Sequence, residues 1–207
     1  MGKVRNNEGK RIGIFGGTFD PIHIGHLIMA EQARVAEDLE EIWFVPANIP
    51  PHKQGPMVDA KHRLAMVEKA VMDHPFFFVS RVEFNRDGPS YTVDTLISLG
   101  DTYPNDEFYL IMGADMVLHL SKWHRVEEIL NRVSIIGLLR PGYALDQRQL
   151  SSNIKNRLTL VNEGVKVDIS SSHLRERLIQ GKSVRYLIPD SVRLYLEENH
   201  LYGWNES

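Results

Sequence analysis

No cysteine occurs among the 207 residues, which excludes disulfide staples and thiol-based catalysis at once. The absence fits a cytoplasmic protein and is compatible with any compartment. Long hydrophobic runs are also missing. No apolar stretch approaches the ~20 residues that a helical membrane span needs, so no membrane partner is expected. Nor is there an excess of basic charge: 24 lysines and arginines stand against 27 aspartates and glutamates, a formal net charge of −3. That balance argues against broad nucleic-acid binding, for which a basic surface is expected, but not against one nucleotide, which needs only a few local donors. Repeats, low-complexity tracts and linkers are absent as well.

What is present has globular proportions, with 43% hydrophobic and 25% charged residues, and a length that suits one domain with a substantial core. Met1 to Lys10 is polar, lacks the apolar segment of a secretory signal and reads as a disordered extension ahead of a domain over 11–207. Along that domain β-rich runs alternate with helical patterns. Arg11–Phe15, Glu41–Pro46, Phe76–Phe84, Glu107–Met112, Ser134–Leu139 and Val165–Ile169 read as strands, most of them apolar on both faces. Helices are expected at 24–37, 60–73, 91–100, 115–130, 147–157, 171–180 and 190–199. Asp59, Ser170 and Ser171 suit N-caps, and Gly181 suits a stop. The pattern predicts an α/β fold, a Rossmann-like doubly wound domain whose mostly parallel sheet is flanked by helices.

The densest signal is Gly16-Gly17-Thr18-Phe19-Asp20-Pro21 running into His23-Ile24-Gly25-His26, where an apolar strand ends and an amphipathic helix begins. The glycines let the backbone approach a ligand, and a helix start presents unpaired amides to an anion. His23 and His26 are three residues apart, so both imidazoles lie on one face. Two histidines at that spacing can also form a solvated face or half a metal site, but the whole string is far more specific for phosphate.

Four further groups carry chemistry. Pro50-Pro51-His52-Lys53 is a stiff loop that can hold Lys53 over a phosphate pocket, or an ordinary surface loop. Ser170-Ser171-Ser172-His173-Leu174-Arg175 starts a helix; capping needs one serine, so Ser171, Ser172 and Arg175 read as a second phosphate clamp. Gly113-Ala114-Asp115 closes a strand-to-helix junction that suits either sugar or base contacts or simple capping. Trp123 is core or a stacking surface, and the helix opening at Ser90-Tyr91-Thr92 either holds a small carboxylate or is simply capped.

Together these strings resemble the bacterial nicotinate-nucleotide adenylyltransferases of the nucleotidyltransferase superfamily over about residues 11–203. The first string is shared superfamily-wide. Pro-Pro-His-Lys, Ser-Tyr-Thr-Val-Asp-Thr-Leu and Trp123-His124 narrow the resemblance to this family. Ser172 and Leu174 stand where the family more often has Thr and Ile. The resemblance implies transfer of the adenylyl group of ATP to nicotinate mononucleotide, giving nicotinate adenine dinucleotide and pyrophosphate. It implies that His23 and His26 are catalytic. Gly16, Gly17, Thr18, Phe19, Lys53, Ser171, Ser172 and Arg175 would bind ATP and its phosphates, with Gly113 and Asp115 on the adenosine half. Thr92 would take the nicotinate carboxylate and Trp123 would stack on the ring. Mg²⁺ would be carried mainly by ATP and water, and no acidic metal cluster is evident in the sequence. A homo-oligomer is compatible with the sequence.

Rival readings are weaker. A class I aminoacyl-tRNA synthetase shares His-Ile-Gly-His but needs a longer chain, a Lys-Met-Ser-Lys-Ser segment and a basic region. Pantetheine-phosphate and glycerol-phosphate transferases have no reason to carry the Trp-His and Ser-Tyr-Thr strings. A non-catalytic dinucleotide sensor could dispense with the histidines, and both are present.

Overall fold

Strand segments that are apolar on both faces need cover on both sides, and here helices supply it. In the computed structural model, which describes residues 9–51, 57–139, 145–162, 164–165 and 167–204, six strands form one parallel sheet. They are β1 (Arg11–Gly17), β2 (Glu41–Pro46), β3 (Phe77–Val79), β4 (Glu107–Gly113), β5 (Ser134–Leu138) and β6 (Leu158–Val161), in the order β3-β2-β1-β4-β5-β6. The helices are α1 (Ile24–Ala36), α2 (Ala60–Val71), α3 (Thr92–Thr102), α4 (Ala114–Val117), α5 (Val126–Arg132), α6 (Ser152–Lys155), α7 (Ser171–Ile179) and α8 (Asp190–Glu198).

The period of two sorts the strand side chains between two cores. Ile12, Ile14, Trp43, Val45 and Leu110 pack with Val93, Leu96 and Leu99 of α3 and Ile129 of α5. Phe15, Ile42, Phe44 and Ile111 pack with Ala30 of α1, Met66 of α2, Leu174 of α7 and Val192 of α8. The chain runs outward from β1 through β2 to β3, then returns to place β4 on the other side of β1. Connections leaving β1 and β4 therefore diverge, and a crevice opens beyond their carboxyl ends, where such sheets bind ligands.

The expected α/β architecture is the one observed, with local departures. The sixth strand is Leu158–Val161, not Val165–Ile169, and the expected helix over 147–157 is a short 3₁₀ turn at Gln147–Gln149 followed by α6. The edge of β5 offers one register, Ile135 beside Leu158 through Leu138 beside Val161, and once it is filled that edge is closed to the later segment, whose Val165 carbonyl accepts from the Gln32 side chain at 2.8 Å. Val165 is accordingly exposed. The expected helix over 115–130 is broken into α4, a 3₁₀ turn at Leu120–Lys122 and α5, with Arg125 in the left-handed region at φ 54°. The expected strand over Phe76–Phe84 stops at Val79 and is followed by a 3₁₀ turn at Val82–Asn85. Asp59 precedes α2, but its side chain makes no cap bond, whereas the Ser170 hydroxyl accepts from the His173 amide at 3.2 Å. Gly181 follows α7 at φ 65°, as a stop requires. Of the expected extension, residues 1–8 lie outside the described residues; the Lys10 amide is already tied to Asp106 at 2.9 Å.

The sheet center is tight around Gly13. A Cβ there would stand 2.6 Å from the Cδ1 atoms of Ile111 and Ile42 and 2.9 Å from that of Leu39. Gly13→Ala is expected to destabilise the fold by about 1–3 kcal/mol, since three packed chain ends must shift together. Urea unfolding should show a lower midpoint at an unchanged slope.

Candidate active site

The crevice beyond β1 and β4 holds a cavity of about 380 Å³. Of the residues singled out in the sequence, Gly16, Gly17, Thr18, Phe19, His26, Thr92, Gly113 and Trp123 line it. One end is built from the β1–α1 crossing. The other is built from Tyr91 and Thr92 at the start of α3 and from Trp123 and His124, which the break between α4 and α5 delivers there. Trp123 is half-buried: it packs against the core that holds Ile14 and Leu110 and also lines the cavity.

Within the crossing, the two glycines do different work. A Cβ on Gly16 would meet nothing within 4 Å, so its backbone is open to a ligand, whereas a Cβ on Gly17 would stand 2.9 Å from the Phe19 ring. Phe19 takes φ 50°, a left-handed conformation unusual for a bulky side chain, and is 2% exposed. Its ring meets that of His26 edge-on at 5.1 Å. On the other side His26 stacks on His23, centroid to centroid 3.6 Å and 20° from parallel. The His23 amide donates to His26 Nδ1 at 3.2 Å, so a neutral His26 carries its proton on Nε2. Gly25 leaves room chiefly for this arrangement: a Cβ there would stand 3.0 Å from His23 Nδ1.

The expectation of open amides at the start of α1 is modified. The Ile24 amide donates to the Leu187 carbonyl at 3.0 Å, and the His26 amide to the His23 carbonyl at 2.9 Å. Two amides of this helix start are therefore already engaged within the protein. Ser171, Ser172 and Arg175 lie behind the histidine loop and not on the cavity wall. The Ser171 hydroxyl donates to the Pro21 carbonyl at 2.9 Å, and Arg175 donates to the Asp20 carbonyl at 2.8 Å and to the Ser172 hydroxyl at 3.2 Å. Asp115 sits in the first turn of α4 with Oδ1 buried and not hydrogen-bonded. Pro50 and Pro51 line the cavity; Lys53 lies outside the described residues.

Two residues missed in sequence organise these loops. Arg63 of α2 has no exposed surface, and its guanidinium donates to the carbonyls of Thr18 (2.8 Å), Ala47 (2.6 Å), Asn48 (3.0 Å) and Val58 (3.3 Å). Burial lowers its pKa from the ordinary arginine value, opposed by nearby Asp20. Among the described residues no carboxylate lies within ion-pair distance of it. The signal was available: Arg63, Met66, Val67 and Val71 share one buried face of α2, so an arginine occupies a core position of the helical repeat. Glu83 is the second. It lines the cavity, accepts from the Thr95 hydroxyl at 2.7 Å, and burial pushes its carboxyl above the usual range. Ser90 joins the same region to the loop after β2, its hydroxyl accepting from the Asn48 and Ile49 amides at 3.1 and 3.3 Å.

The cytidylyltransferase-like family model matches residues 14–177. A nicotinate-nucleotide adenylyltransferase of Bacillus subtilis is 45% identical over 195 residues, covering 93% of this chain and 98% of that protein. The chain belongs to the nicotinate-nucleotide adenylyltransferase family. A relative from Oceanobacillus iheyensis is 46% identical over 198 residues, 96% of this chain and the whole of that protein. The fold is shared with the Plasmodium falciparum nicotinic acid mononucleotide adenylyltransferase. Its complex with NaAD gives a TM-score of 0.79 at 24% identity and its complex with APC 0.76 at 23%, each covering 95% of this chain and 98% of that one.

In this member of the family, Arg63 joins the loops after β1 and β2 beneath the cavity. Arg63→Met removes all four donor contacts and leaves buried carbonyls unpaired, a loss on the order of 3 kcal/mol. Chemical denaturation should show it, with Arg63→Lys recovering only part because an ammonium cannot span the same fork.

Proposed function

We propose that this chain transfers the adenylyl group of ATP to nicotinate mononucleotide, giving nicotinate adenine dinucleotide, the immediate precursor of NAD, and pyrophosphate. The observation that carries this reading is a single cavity with two unlike ends. A glycine-opened strand end and His26, on which the buried His23 stacks behind the cavity wall, suit phosphates, while a helix start and an indole suit an aromatic ring bearing a carboxylate.

The attacking group is already a phosphate. An oxygen of the mononucleotide phosphate forms the new bond to the α-phosphorus of ATP as the bond to the bridging oxygen of pyrophosphate breaks, so no protein nucleophile is needed. The protein's task is alignment and charge neutralisation. We assign His23 and His26 to the phosphates of ATP and to the charge that develops during transfer, with Nε2 of His26 as a donor. Gly16, Gly17, Thr18 and Phe19 shape the approach. Lys53, Ser171, Ser172 and Arg175 are assigned to the phosphates and to the departing pyrophosphate, the last three by exchanging loop contacts for phosphate oxygens. Gly113 and Asp115 are assigned to the adenosine half, Thr92 to the nicotinate carboxylate and Trp123 to its ring. Mg²⁺ is expected to enter with the triphosphate, held by phosphate oxygens and water. Asp20, on the histidine loop, already has both oxygens engaged, by Tyr202 and by the Met57 amide.

The test is pyrophosphate release from ATP with nicotinate mononucleotide, its amide and phosphopantetheine side by side. The acid should be used with the highest kcat/KM. A helix start favours an anion, and the amide would set an NH₂ against a donor, a difference of roughly ten- to a hundredfold. Equal use of acid and amide would remove Thr92 from the carboxylate; use of phosphopantetheine alone would overturn the reading. In the same assay, His26→Ala should fold normally and lose about 10²–10³-fold in kcat, the usual consequence of deleting a transition-state donor. Turnover near wild type would remove His26 from catalysis.

A further inference from the structure

The end of the described chain reaches into the histidine loop. Tyr202, in the short 3₁₀ turn Leu201–Gly203, is 4% exposed and donates its hydroxyl to Asp20 Oδ1 at 2.6 Å. Asp20 is 5% exposed and lies three residues before His23. Its second oxygen accepts from the Met57 amide at 2.9 Å, and Arg175 Nη1 is 3.7 Å from that oxygen while donating to the Asp20 carbonyl. Three separate parts of the chain therefore converge on one carboxylate: the segment after the Pro-Pro-His-Lys loop, α7, and the C-terminal turn.

The backbone is bent to make this contact. Tyr202 has φ 57° and His200 φ 48°, left-handed conformations that a tyrosine adopts only when its surroundings impose them. Burial and the neighbouring carboxylate raise the phenol well above its ordinary pKa, so it remains a donor throughout any practical assay range.

We propose that Tyr202 and Asp20 are a positioning pair for catalysis, the phenol fixing the carboxylate and the carboxylate fixing the loop that presents His23 and His26. The proposal rests on the adenylyl-transfer reading for its kinetic consequence. Arg175 is assigned there to phosphate, which takes it from Asp20; Tyr202 and the Met57 amide are the contacts that stay. Neither Tyr202 nor Asp20 is required to touch substrate.

Tyr202→Phe deletes one hydroxyl and keeps the ring. Ser191→Ala calibrates the loss, because the Ser191 hydroxyl donates to the Lys69 carbonyl at 2.8 Å and ties α8 to α2 away from the cavity. Both variants should lose some thermal stability. Tyr202→Phe should also lower kcat by at least about tenfold with KM for nicotinate mononucleotide unchanged, as misplacement of catalytic groups does. Ser191→Ala should keep wild-type kcat. In hydrogen exchange without substrate, the loop amides from Thr18 to His26 should exchange faster in Tyr202→Phe and not in Ser191→Ala. Tyr202→Phe with wild-type kcat and unchanged loop exchange would overturn the proposal. Should Tyr202→Phe fail to fold, Asp20→Ala decides: it removes the acceptor of Tyr202 and of the Met57 amide while leaving the phenol in place, and wild-type turnover in it would equally overturn the pairing. If the wild-type protein forms no dinucleotide, the functional reading fails, while the exchange contrast still decides whether the pair orders the loop.

Discussion

A buried guanidinium with no ion-pair partner among the described residues holds the upper side of this sheet together. The chain leaves β1 and β2 through neighbouring loops whose carbonyls at Thr18, Ala47 and Asn48 turn inward toward α2. Arg63 meets these carbonyls and that of Val58. Lysine lacks the reach and geometry to do so, and a neutral residue would leave several buried acceptors unpaired. The same side chain sets a fixed positive charge beneath a cavity that is read as holding phosphates. Structure and electrostatics thus share one residue.

From that anchor the site follows in order. Thr18 is pinned, Phe19 is forced into a left-handed turn, its ring needs the space beside Gly17, and its edge contacts His26. His26 stacks on His23, and the His23 amide selects its tautomer. Asp20 fastens the remainder of the loop to α7 and to the C-terminal turn. A site that only aligns two phosphates needs this kind of rigidity more than it needs a reactive side chain, which accords with a chain that has no cysteine.

The parts legible in sequence were those where local chemistry and topology agree. The Gly-Gly-Thr-Phe-Asp-Pro to His-Ile-Gly-His crossing announced β1, α1 and the site, because glycine, helix start and switch point all fall there. Long amphipathic patterns gave α1, α2, α3, α7 and α8 to within a few residues. The sixth strand was misplaced because Val165–Ile169 alternates as well as Leu158–Val161 does, and only the edge of β5 distinguishes them. The break that carries Trp123 to the cavity has neither glycine nor proline to mark it; tertiary packing imposes it. Ser171 and Arg175 were read as open phosphate donors, yet in this structure they brace the Asp20–Pro21 carbonyls, a long-range contact that spacing does not reveal. Arg63 is visible in sequence only as a charge on an apolar helix face, and the carbonyls it meets are brought there by the fold.

The central claim is that the protein aligns two phosphates for one direct displacement and forms no covalent bond to either. The stereochemical course at the α-phosphorus tests it most directly. With ATP made chiral at that phosphorus by sulfur and nicotinate mononucleotide as acceptor, a single in-line transfer gives a dinucleotide of inverted configuration. Retention would require two displacements and a nucleotide-bearing side chain, and would contradict the account.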